Sequence, residues 1–396
     1  MFVKNIEQIE LNEKRVLIRV DYNVPLDTNQ KITDDTRILR SLPTIKHALR
    51  KNAKLILMSH LGRPKGRVLP ELSLAPVAKR LTEVLKQEVR LAPDCVGPEV
   101  EQLVSRMKPK DVVLLENLRF HVEEEAGDKG FARKLADLAD VYIDDAFGVG
   151  HRAHASNVTI VAFAKEFGAG FLMRDEIEYI QKLMGDPKRP LVAVIGGSKV
   201  SSKIHVLENL VRKVDKIIVG GAMAFTFLHA KGFEVGKSLV ENDLVGTAWR
   251  IIDSARERRE KFYLPVDCVV AEKLDPRAAT KVVPVEEIPP EWMALDIGPA
   301  TEILFAEALQ DAQTIVWNGP MGVFEMDAFS RGTRAMIETM GASPALTIVG
   351  GGDTDVAVEK WHATYKMSYI STGGGAFIEM LEGKTLPAIK ALEIDA

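Results

Sequence analysis

Two lysines near the middle of the chain follow a short apolar run and a pair of glycines. Residues 191–195 are apolar and predict a buried strand, two glycines interrupt it, and a helical apolar pattern follows. A strand, a glycine turn and a helix start place free N–H groups and the positive helix end where an anion can bind. Lys199 and Lys203 share a face if both are helical. The stretch is either a phosphate site or a simple connection between a strand and a helix, and residues elsewhere in the chain are needed to distinguish the two.

The candidate strands of the first half are followed by arginine, histidine and asparagine. Ligands of parallel α/β sheets lie outside the carboxyl ends of the strands, and guanidinium groups bind carboxylate and phosphate with paired hydrogen bonds. One surface arginine is ordinarily a solvated charge, whereas a series at successive strand ends indicates a site for a small, strongly anionic molecule. These ends read Arg19-Val20-Asp21-Tyr22-Asn23, Ser59-His60-Leu61-Gly62-Arg63-Pro64, Glu116-Asn117-Leu118-Arg119 and Asp144-Asp145-Ala146-Phe147, the last continuing to Gly150-His151-Arg152-Ala153-His154.

The strand ends of the second half are glycine-rich instead. Glycine permits close backbone approach and positive φ, so six such turns on one edge would line a crevice with N–H donors for phosphates and a flat base. This pattern predicts a nucleotide site. The turns follow Ile195, Val219, Ile297, Asn318, Val349 and Thr372.

Two carboxylates beside these turns have two interpretations each. Asp353 follows three glycines and either holds Mg²⁺ shared with nucleotide phosphates or caps the following helix, and the two roles are compatible. Glu325 follows residues 317–324 and either accepts hydrogen bonds from ribose hydroxyls or is simply exposed.

Short apolar runs alternate with amphipathic helical patterns over nearly the whole chain, which predicts parallel sheets covered on both faces. We expect a helix from about Phe171 to Met184. A domain boundary is expected there as well, because the residues that follow the strands change from arginine, histidine and asparagine to glycine just after it. Pro43 is expected in the first turn of a helix running to Lys51, with Arg37 near or before its start. The other predicted elements are strands 15–20, 54–58, 111–115 and 141–143, and helices 74–87 (with Ser73 as N-cap), 99–107, 131–139, 299–310, 354–361 and 376–381.

Length and composition describe a globular chain with two or three domains, since 396 residues exceed one ordinary core, and the hydrophobic content of 46% and charged content of 27% are typical. A net charge of −4 gives no reason to expect nucleic acid or an anionic membrane as a partner. Cys95 and Cys268 form no disulfide framework and no CxxC pair, which fits a reducing compartment. We find neither a secretory signal nor an apolar run long enough to span a bilayer, and we expect a cytoplasmic protein.

Other nucleotide and metal motifs are absent or incomplete. The chain has no Walker A sequence and lacks the protein-kinase combination of His-Arg-Asp and Asp-Phe-Gly. Residues 148–153 match GxGxxA, but an arginine stands in the turn and no acidic strand end lies about 20 residues further on. His151 and His154 have an arginine between them, which disfavours a metal pair.

Eight motifs together resemble those of the phosphoglycerate kinase family. They occur in that family's order and cover essentially the full chain. Tyr22 is the one departure, since the family commonly has another apolar or aromatic residue there, and it leaves the site assignment intact. The motifs are residues 19–25, 59–64, 116–120, 151–154, 196–200, 317–320, 350–354 and 371–375.

The resemblance implies two α/β domains with doubly wound, Rossmann-like parallel sheets, joined by a hinge helix. The implied boundaries are 1–170 with the C-terminal tail 386–396 for 3-phosphoglycerate, 171–187 for the helix and 188–385 for the nucleotide. The implied reaction is the glycolytic, reversible transfer of the acyl phosphate of 1,3-bisphosphoglycerate to Mg-ADP, giving 3-phosphoglycerate and ATP in a cleft formed on domain closure. We expect a monomer without nucleic acid or membrane partners.

The resemblance also implies the residues of each site. Phosphoryl transfer demands in-line alignment and neutralisation of charge, and we assign this catalytic role to Arg37, Lys199 and the N–H groups of Gly352 and Gly375. The implied substrate-binding residues are Asp21, Tyr22, Asn23, Arg37, His60, Leu61, Gly62, Arg63, Arg119 and Arg152. The implied nucleotide-binding residues are Lys203, Gly221, Glu325, Gly351, Gly352, Asp353 and Thr354, with Asp353 also on the Mg²⁺.

Two competing hypotheses share parts of this pattern. A Rossmann-type dehydrogenase requires a usable fingerprint and an acidic ribose partner, and NAD rather than ADP would then raise the melting temperature. A two-lobed binding protein without catalytic activity would share the hinge and the cleft, but it needs no lysine placed for a transferring group.

Overall fold

The structure, a computed structural model, describes residues 3–394. It divides into two compact units. One contains the chain up to Glu178 and the segment from Thr385 onwards, and the other is Tyr179–Lys384. Each unit is built around a parallel β-sheet, so the predicted α/β fold with two parallel-sheet domains is confirmed.

A six-stranded parallel sheet forms the centre of the first unit. Its strands are β1 Arg15–Arg19, β2 Lys54–Met58, β3 Val89–Leu91, β4 Val112–Leu114, β5 Val141–Asp144 and β6 Phe167–Ala169. The central strands are runs of Val, Leu and Ile with both faces buried, as expected for a parallel sheet covered by helices. The order is β3-β4-β2-β1-β5-β6. The chain therefore reverses its direction across the sheet beside β1, which is where ligands bind in such sheets.

The second unit has a parallel sheet of the same size. The strands of this unit are β7 Leu191–Ile195, β8 Lys216–Val219, β9 Lys261–Tyr263, β10 Asp267–Ala271, β11 Thr280–Pro284, β12 Met293–Ile297, β13 Thr314–Asn318, β14 Leu346–Val349 and β15 Tyr369–Ile370. The parallel sheet has the order β15-β14-β13-β7-β8-β9, so its point of reversal lies between β7 and β13.

Strands β10, β11 and β12 form a separate antiparallel sheet in the order β11-β10-β12. Five of the six glycine turns follow strands of the parallel sheet, but the turn after Ile297 follows β12. The expectation that all six turns share one edge was therefore wrong. An apolar run identifies a strand, whereas its sheet is decided by hydrogen bonds to distant segments.

The helices lie within two residues of most of the predicted boundaries. They are α1 Thr36–Arg50, α2 Ala75–Leu85, α3 Pro98–Ser105, α4 Val122–Ala126, α5 Lys129–Asp137, α6 Phe171–Met184, α7 Ile204–Leu210, α8 Ala224–Ala230, α9 Val245–Glu257, α10 Pro299–Leu309, α11 Arg331–Ala342, α12 Gly352–Lys360, α13 Gly375–Leu381 and α14 Pro387–Leu392. The predicted helix over Phe171–Met184 is confirmed as α6. The N-cap residue of α2 is Leu74 and not Ser73. The Ser73 hydroxyl nevertheless accepts from the Ala75 N–H at 3.2 Å and donates to Glu116 at 2.7 Å.

Helix α1 begins earlier in the sequence than predicted from the position of Pro43, which was expected in its first turn. Pro43 lies in its interior, and Arg37 lies in its first turn. The start is marked by two aspartates instead: the Asp34 side chain accepts from the Thr36 N–H at 2.8 Å, and Asp35 is the N-cap residue. The helix tolerates the missing N–H of a proline because its buried stripe holds it against the sheet. This extra length carries Arg37 to the carboxyl edge of the sheet.

The C-terminal helix α14 packs within the first unit. The Ala388 N–H donates to the Gly150 carbonyl oxygen at 3.1 Å, and Leu386, Ile389 and Leu392 are fully buried. Burial of such apolar side chains stabilises the contact by roughly 1.5–3 kcal/mol each.

Among the described residues, no helix combines the length and the apolar character that crossing a bilayer requires. Cys95 and Cys268 are both buried free thiols.

A partly buried ion pair makes the stability of the first unit depend on pH. His121 Nε2 lies 2.7 Å from Asp94 Oδ1, and the ring stacks on Phe131. The hydrogen bond to Asp94 raises the pKa of His121 above its ordinary value. Burial by itself raises the pKa of Asp94, but the hydrogen bonds from His121 and the Cys95 N–H outweigh it and lower that pKa.

We therefore expect this pair to stabilise the fold most between the ordinary pKa values of aspartate and histidine. The contribution is lost as the pH falls through the lowered pKa of Asp94, or rises through the raised pKa of His121. Chemical denaturation of the wild type and of His121→Gln checks this: the difference in unfolding free energy should be largest near about pH 5 and shrink by about pH 9. A difference that is the same at both pH values contradicts the expectation.

Candidate active site

The carboxyl edge of the first sheet brings together the polar residues that follow its strands. Neighbouring strands β4, β2 and β1 lead into segments that carry Arg119, His60 and Asp21, respectively. The first turn of α1 adds Arg37. These side chains come from distant parts of the sequence and are positioned by the order of the strands.

Asp21 is the anion within this cationic group. Its Oδ2 accepts from Arg37 Nη1 at 2.6 Å, and its Oδ1 lies 4.0 Å from His60 Nδ1. Burial by itself raises the pKa of Asp21, but the charges of Arg37, His60 and Arg19, together with the Asn23 N–H, hold the pKa below its ordinary value. Burial lowers the pKa of His60 well below its ordinary value; Asp21 opposes this effect and the arginines reinforce it. At neutral pH Asp21 is therefore ionised and His60 is neutral.

The turn after β2 is held by two side chains from other strand ends. Asn23 Oδ1 accepts from the Gly62 N–H at 2.9 Å, and Arg119 Nη1 donates to the Gly62 carbonyl oxygen at 2.8 Å. Gly62 has a φ of +63°, which L side chains rarely adopt. Asn23, Gly62 and Arg119 thus form one connected group beside Asp21.

Two further predicted arginines lie in the segments around this group. Arg63 directly follows Gly62 and is exposed. Arg152 is half-buried, and its Nε donates to His151 Nε2 at 3.3 Å. Burial lowers the pKa of Arg119, and the nearby charge of Arg152 adds to this effect. Glu125 Oε1 lies 3.3 Å from Arg119 Nε and is a second carboxylate at the group. The arginines still outnumber the two carboxylates, so the group favours an anionic ligand.

Two predicted substrate-binding residues direct their side chains into the core instead. Tyr22 is fully buried, and its hydroxyl shares a hydrogen bond of 2.9 Å with Ser41. Leu61 is 2% exposed and belongs to the same apolar cluster. Their backbone N–H groups are also engaged, that of Tyr22 with Ser59 Oγ at 2.8 Å and that of Leu61 with Asn117 Oδ1 at 3.1 Å, so both residues hold the segments in place.

The second unit contains a cleft that is open to solvent. Gly221, Glu325 and Asp353 line it, as predicted for a nucleotide site. The remaining lining residues are Gly197, Ser198, Ala222, Phe225, Ala294, Leu295, Asp296, Ile297, Pro320, Met321, Gly322 and Val323. Glycine turns and apolar side chains dominate this set, a combination suited to a flat base and its phosphates.

Lys203 lies beneath the glycine turns of this cleft. Its Nζ donates to the Asn318 carbonyl oxygen at 3.1 Å and also to the Asn318 side chain. Burial lowers the pKa of Lys203 to about 8, and the charge of Asp353 partly opposes this shift. A buried lysine with a lowered pKa in a cleft is typical of a functional site.

Lys199 and Lys203 do not share a helix face. Helix α7 begins at Ile204, with Lys203 as its N-cap, and Lys199 lies in the preceding loop and is exposed. The condition for a shared face therefore fails. The apolar pattern that predicted the helix starts at Ile204, and nothing in it required the loop to be helical.

Most N–H groups of the glycine turns are hydrogen-bonded within the protein, several of them to neighbouring turns, so they do not point into the cleft as free donors. The bonds run from Gly196 to Asn318 O at 2.9 Å, Gly197 to Pro320 O at 2.9 Å, Gly221 to Met321 O at 3.1 Å, Gly319 to Thr354 Oγ1 at 2.7 Å and Gly350 to Trp317 O at 3.0 Å. Within residues 3–394, the N–H groups of Gly352 and Gly375, at the starts of α12 and α13, form no hydrogen bond. In the described part of the chain the N–H groups of Gly351 and Gly374 are unbonded as well, so the two predicted donors are among four glycine N–H groups available at these helix starts.

Close backbone packing explains the glycines at the turns. A Cβ on Gly221 would lie 2.5 Å from both the N and the O atoms of Gly197, and its φ is +65°. A Cβ on Gly351 would lie 2.5 Å from Asn318 Nδ2. Thr354 is fully buried, and its hydroxyl accepts the Gly319 N–H. Gly351 and Thr354 thus tie neighbouring turns together beside the cleft.

The sequence motifs missed the apolar wall and Asp296. Asp296 lies on β12 and is 3% exposed, and it accepts from the N–H groups of Gly332 and Ile297 at 2.8 and 2.9 Å. Burial raises the pKa of Asp296 to about 8 in spite of these bonds. The available signal was one acidic residue within an apolar strand, a pattern that exposed strands also show.

Comparison with known proteins agrees with this geometry. A sequence model of the family described as phosphoglycerate kinase matches residues 6–384. A phosphoglycerate kinase of Geotalea uraniireducens (strain Rf4) is 60% identical over 394 residues, covering 99% of both chains. A phosphoglycerate kinase of Aquifex aeolicus (strain VF5) is 55% identical over 390 residues, covering 98% of both chains.

Solved structures show the same similarity in three dimensions. The structure of phosphoglycerate kinase from Coxiella burnetii has a TM-score of 0.91 at 44% identity and covers 98% of both chains. That from Pyrococcus horikoshii OT3 has a TM-score of 0.86 at 32% identity with the same coverage. Since both the sequence and the fold agree over nearly the full length, the chain belongs to the phosphoglycerate kinase family of enzymes.

Proposed function

We propose that this kinase transfers the acyl phosphate of 1,3-bisphosphoglycerate reversibly to Mg-ADP, giving 3-phosphoglycerate and ATP, as a step of glycolysis. The observation that carries the proposal is that two chemically different sites lie at the carboxyl ends of strands in different units. One is a cationic group around Asp21, and the other is a glycine-lined apolar cleft. A phosphorylated carboxylic acid fits the first, and a nucleotide fits the second.

The first unit, predicted as residues 1–170 with 386–396, is the proposed phosphoglycerate domain. Arginine guanidinium groups would bind the phosphate and carboxylate, and Asp21 and Asn23 would accept from and donate to the hydroxyl. Asp21 is fixed for this role by Arg37 at 2.6 Å. The proposed ligands are Asp21, Asn23, Arg37, His60, Gly62, Arg63, Arg119 and Arg152, and Tyr22 and Leu61 of the predicted set act by holding the segments that carry them.

The second unit, predicted as residues 188–385, is the proposed nucleotide domain, and residues 171–187 are the proposed connecting helix. The apolar side of the cleft suits the base, and Glu325, which is exposed at the cleft, suits the ribose hydroxyls. The proposed ligands are Lys203, Gly221, Glu325, Gly351, Gly352, Asp353 and Thr354, of which Gly351 and Thr354 act by holding the turns.

The residues of the cleft fit a magnesium ion that is shared with nucleotide phosphates. Asp353 is exposed, lines the cleft and lies in the first turn of α12. Its carboxylate is the hard oxygen ligand that Mg²⁺ prefers, and a single carboxylate leaves the other positions to phosphate oxygens and water. When bound, the ion supplies positive charge to the transferring phosphate.

The chemistry requires no enzyme nucleophile, because the substrates supply it. A terminal phosphate oxygen of ADP attacks the acyl phosphate and the carboxylate leaves, and in the reverse direction the carboxylate of 3-phosphoglycerate attacks the terminal phosphate of ATP and ADP leaves. Catalysis then depends on alignment and on charges placed around the transferring group. We assign these charges to Arg37 of the first unit and Lys199 of the second, aided by the free N–H groups of Gly352 and Gly375. Since the two substrates are assigned to different units, the proposal includes a closing motion that also excludes water.

We further propose a cytoplasmic monomer that works without nucleic acid or membrane partners. The buried free thiols of Cys95 and Cys268 suit a reducing compartment, and the net charge of −4 offers no attraction for polyanions.

A coupled assay tests the proposed reaction. With Mg²⁺, ATP and 3-phosphoglycerate, we expect ADP to form, and we expect none when 3-phosphoglycerate is omitted. ADP should also raise the melting temperature of the protein, whereas NAD should leave it unchanged. No ADP formation, or stabilisation by NAD alone, contradicts the proposal and favours the dehydrogenase hypothesis.

A further inference from the structure

Four polar side chains of the first unit form a continuous hydrogen-bonded chain in its interior. Glu124, Ser156, Arg19 and His60 are between 0% and 3% exposed. The Ser156 hydroxyl donates to Glu124 Oε1 at 2.6 Å and accepts from Arg19 Nε at 2.9 Å. Arg19 Nη2 lies 3.3 Å from His60 Nδ1. The chain thus leads from a buried carboxylate to a ring at the proposed substrate site.

The first half of this chain has a single hydrogen-bonding arrangement. Glu124 Oε2 also accepts the Ser156 N–H at 3.0 Å, so both carboxylate oxygens bind the same residue. Because the Ser156 proton is used toward Glu124, its oxygen faces Arg19 as an acceptor. The Arg19 guanidinium is further fixed by donating to the Val20 carbonyl oxygen.

The second half of the chain determines where the imidazole proton lies. A guanidinium group has donors only, so a ring nitrogen that meets Arg19 must be the acceptor. His60 Nδ1 therefore carries the lone pair, and the neutral ring carries its proton on Nε2. The alternative proton position on Nδ1 would place two N–H groups against each other, and the nearest carboxylate oxygen, on Asp21, is 4.0 Å away.

Nε2 is the atom left for a ligand. Within the described part of the chain it forms no hydrogen bond, and it is not among the fully enclosed nitrogens. We propose that Glu124 and Ser156 are positioning residues that, through Arg19, hold His60 as the Nε2–H tautomer and so present a neutral donor to an oxygen of the anionic substrate. This inference rests on the proposed function for the identity of the substrate.

The proposed chain explains why a neutral donor is retained beside several arginines. Burial, Arg119 and Arg37 all disfavour a charged ring at this position. A neutral ring with a free tautomer would present an acceptor to the substrate for part of the time, and an acceptor repels a carboxylate or phosphate oxygen. Fixing the tautomer removes that unproductive form.

Long-range ¹H–¹⁵N NMR of the ¹⁵N-histidine-labelled full chain tests the inference. The signals of His60 among the eight histidines are identified by their loss in His60→Gln. We expect the wild type to show only the Nε2–H tautomer near neutral pH. Ser156→Ala and Glu124→Gln should show a mixture of tautomers and an increase of about tenfold in KM for 3-phosphoglycerate, with KM for ATP unchanged.

Two variants serve as controls. Ser156→Thr keeps the hydroxyl and should retain the wild-type tautomer, and Glu123→Gln changes an exposed neighbour and should have no effect. If Glu124→Gln does not fold, the pair Ser156→Ala and Ser156→Thr decides the question. An unchanged Nε2–H tautomer in folded Ser156→Ala, or an Nδ1–H tautomer in the wild type, overturns the inference. A wild type that shows the expected tautomers but no kinase activity would overturn the proposed function and leave the assignment of His60 standing.

Discussion

Replacing Arg37 by alanine is expected to lower kcat by at least about a hundredfold, the scale of losing one charge that stabilises a transition state. Arg37 lies in the first turn of α1 and binds Asp21 through one nitrogen at 2.6 Å, which leaves its other donors for a ligand. Lys199→Ala should have an effect of similar size, because the exposed Lys199 is assigned the matching charge from the second unit. Single-turnover measurements separate the chemical step from product release.

The two variants should differ in their side effects. Arg37→Ala leaves Asp21 without its closest cation, so we expect a lower melting temperature and a raised KM for 3-phosphoglycerate as well. Lys199→Ala should change kcat and kcat/KM together and leave the melting temperature unchanged, as for an interaction made only in the transition state. Matched controls are Arg50→Ala at the far end of α1 and Lys231→Ala after α8, both exposed. Near-normal turnover in both Arg37→Ala and Lys199→Ala would falsify the catalytic assignment.

The sequence predicted local elements well because periodicity depends on neighbouring residues. Helix α6 was located to the residue, since its apolar stripe is followed directly by Gly185-Asp186-Pro187, a sequence that ends a helix. The start of α1 was predicted too late in the sequence, because Pro43 was placed in the first turn. The aspartates that start the helix are a weaker signal than this proline. Elements were therefore predictable wherever the signals within one segment agreed.

Contacts between segments were the part that the sequence did not reveal. Tyr22 was predicted to bind substrate, yet its ring lies in the core, because the direction of a side chain after a strand depends on how the loop packs. The glycine turns were expected to supply free N–H groups, yet the N–H groups of Gly197 and Gly221 bind neighbouring turns. Asp296 escaped notice because only the fold turns its β-strand toward the cleft. Each of these facts depends on residues that are far apart in the chain.

Lys203→Met is expected to weaken ADP binding by about a hundredfold, equivalent to ~2.7 kcal/mol, since it removes a buried cation from beneath the nucleotide cleft. Its effect on the unliganded protein should be small or even favourable. Burial holds the pKa of Lys203 at about 8, below the ordinary 10.5, so the charged ammonium is costly in the folded state. Methionine has a similar length and removes this cost, although it leaves the Asn318 side-chain oxygen without its lysine donor; the carbonyl oxygen keeps the Gly196 N–H.

The lowered pKa of Lys203 predicts that rising pH has opposite effects on the wild type: the unliganded fold becomes more stable and ADP binding becomes weaker. Below about pH 8 the buried charge destabilises the unliganded fold by about 3 kcal/mol, and this penalty is relieved as the pH rises from about 8 to 10.5. ADP affinity should fall over that same range, because the phosphates bind the charged lysine. Calorimetric titration and chemical denaturation at pH 7 and at about pH 9.5 measure both trends, with the half-buried Lys213→Met as the matched control. Lys203→Met should show neither trend. If this variant binds ADP as tightly as the wild type, or loses ADP affinity at high pH to the same extent, Lys203 is not the phosphate ligand. Another cation at the cleft must then bind the phosphates.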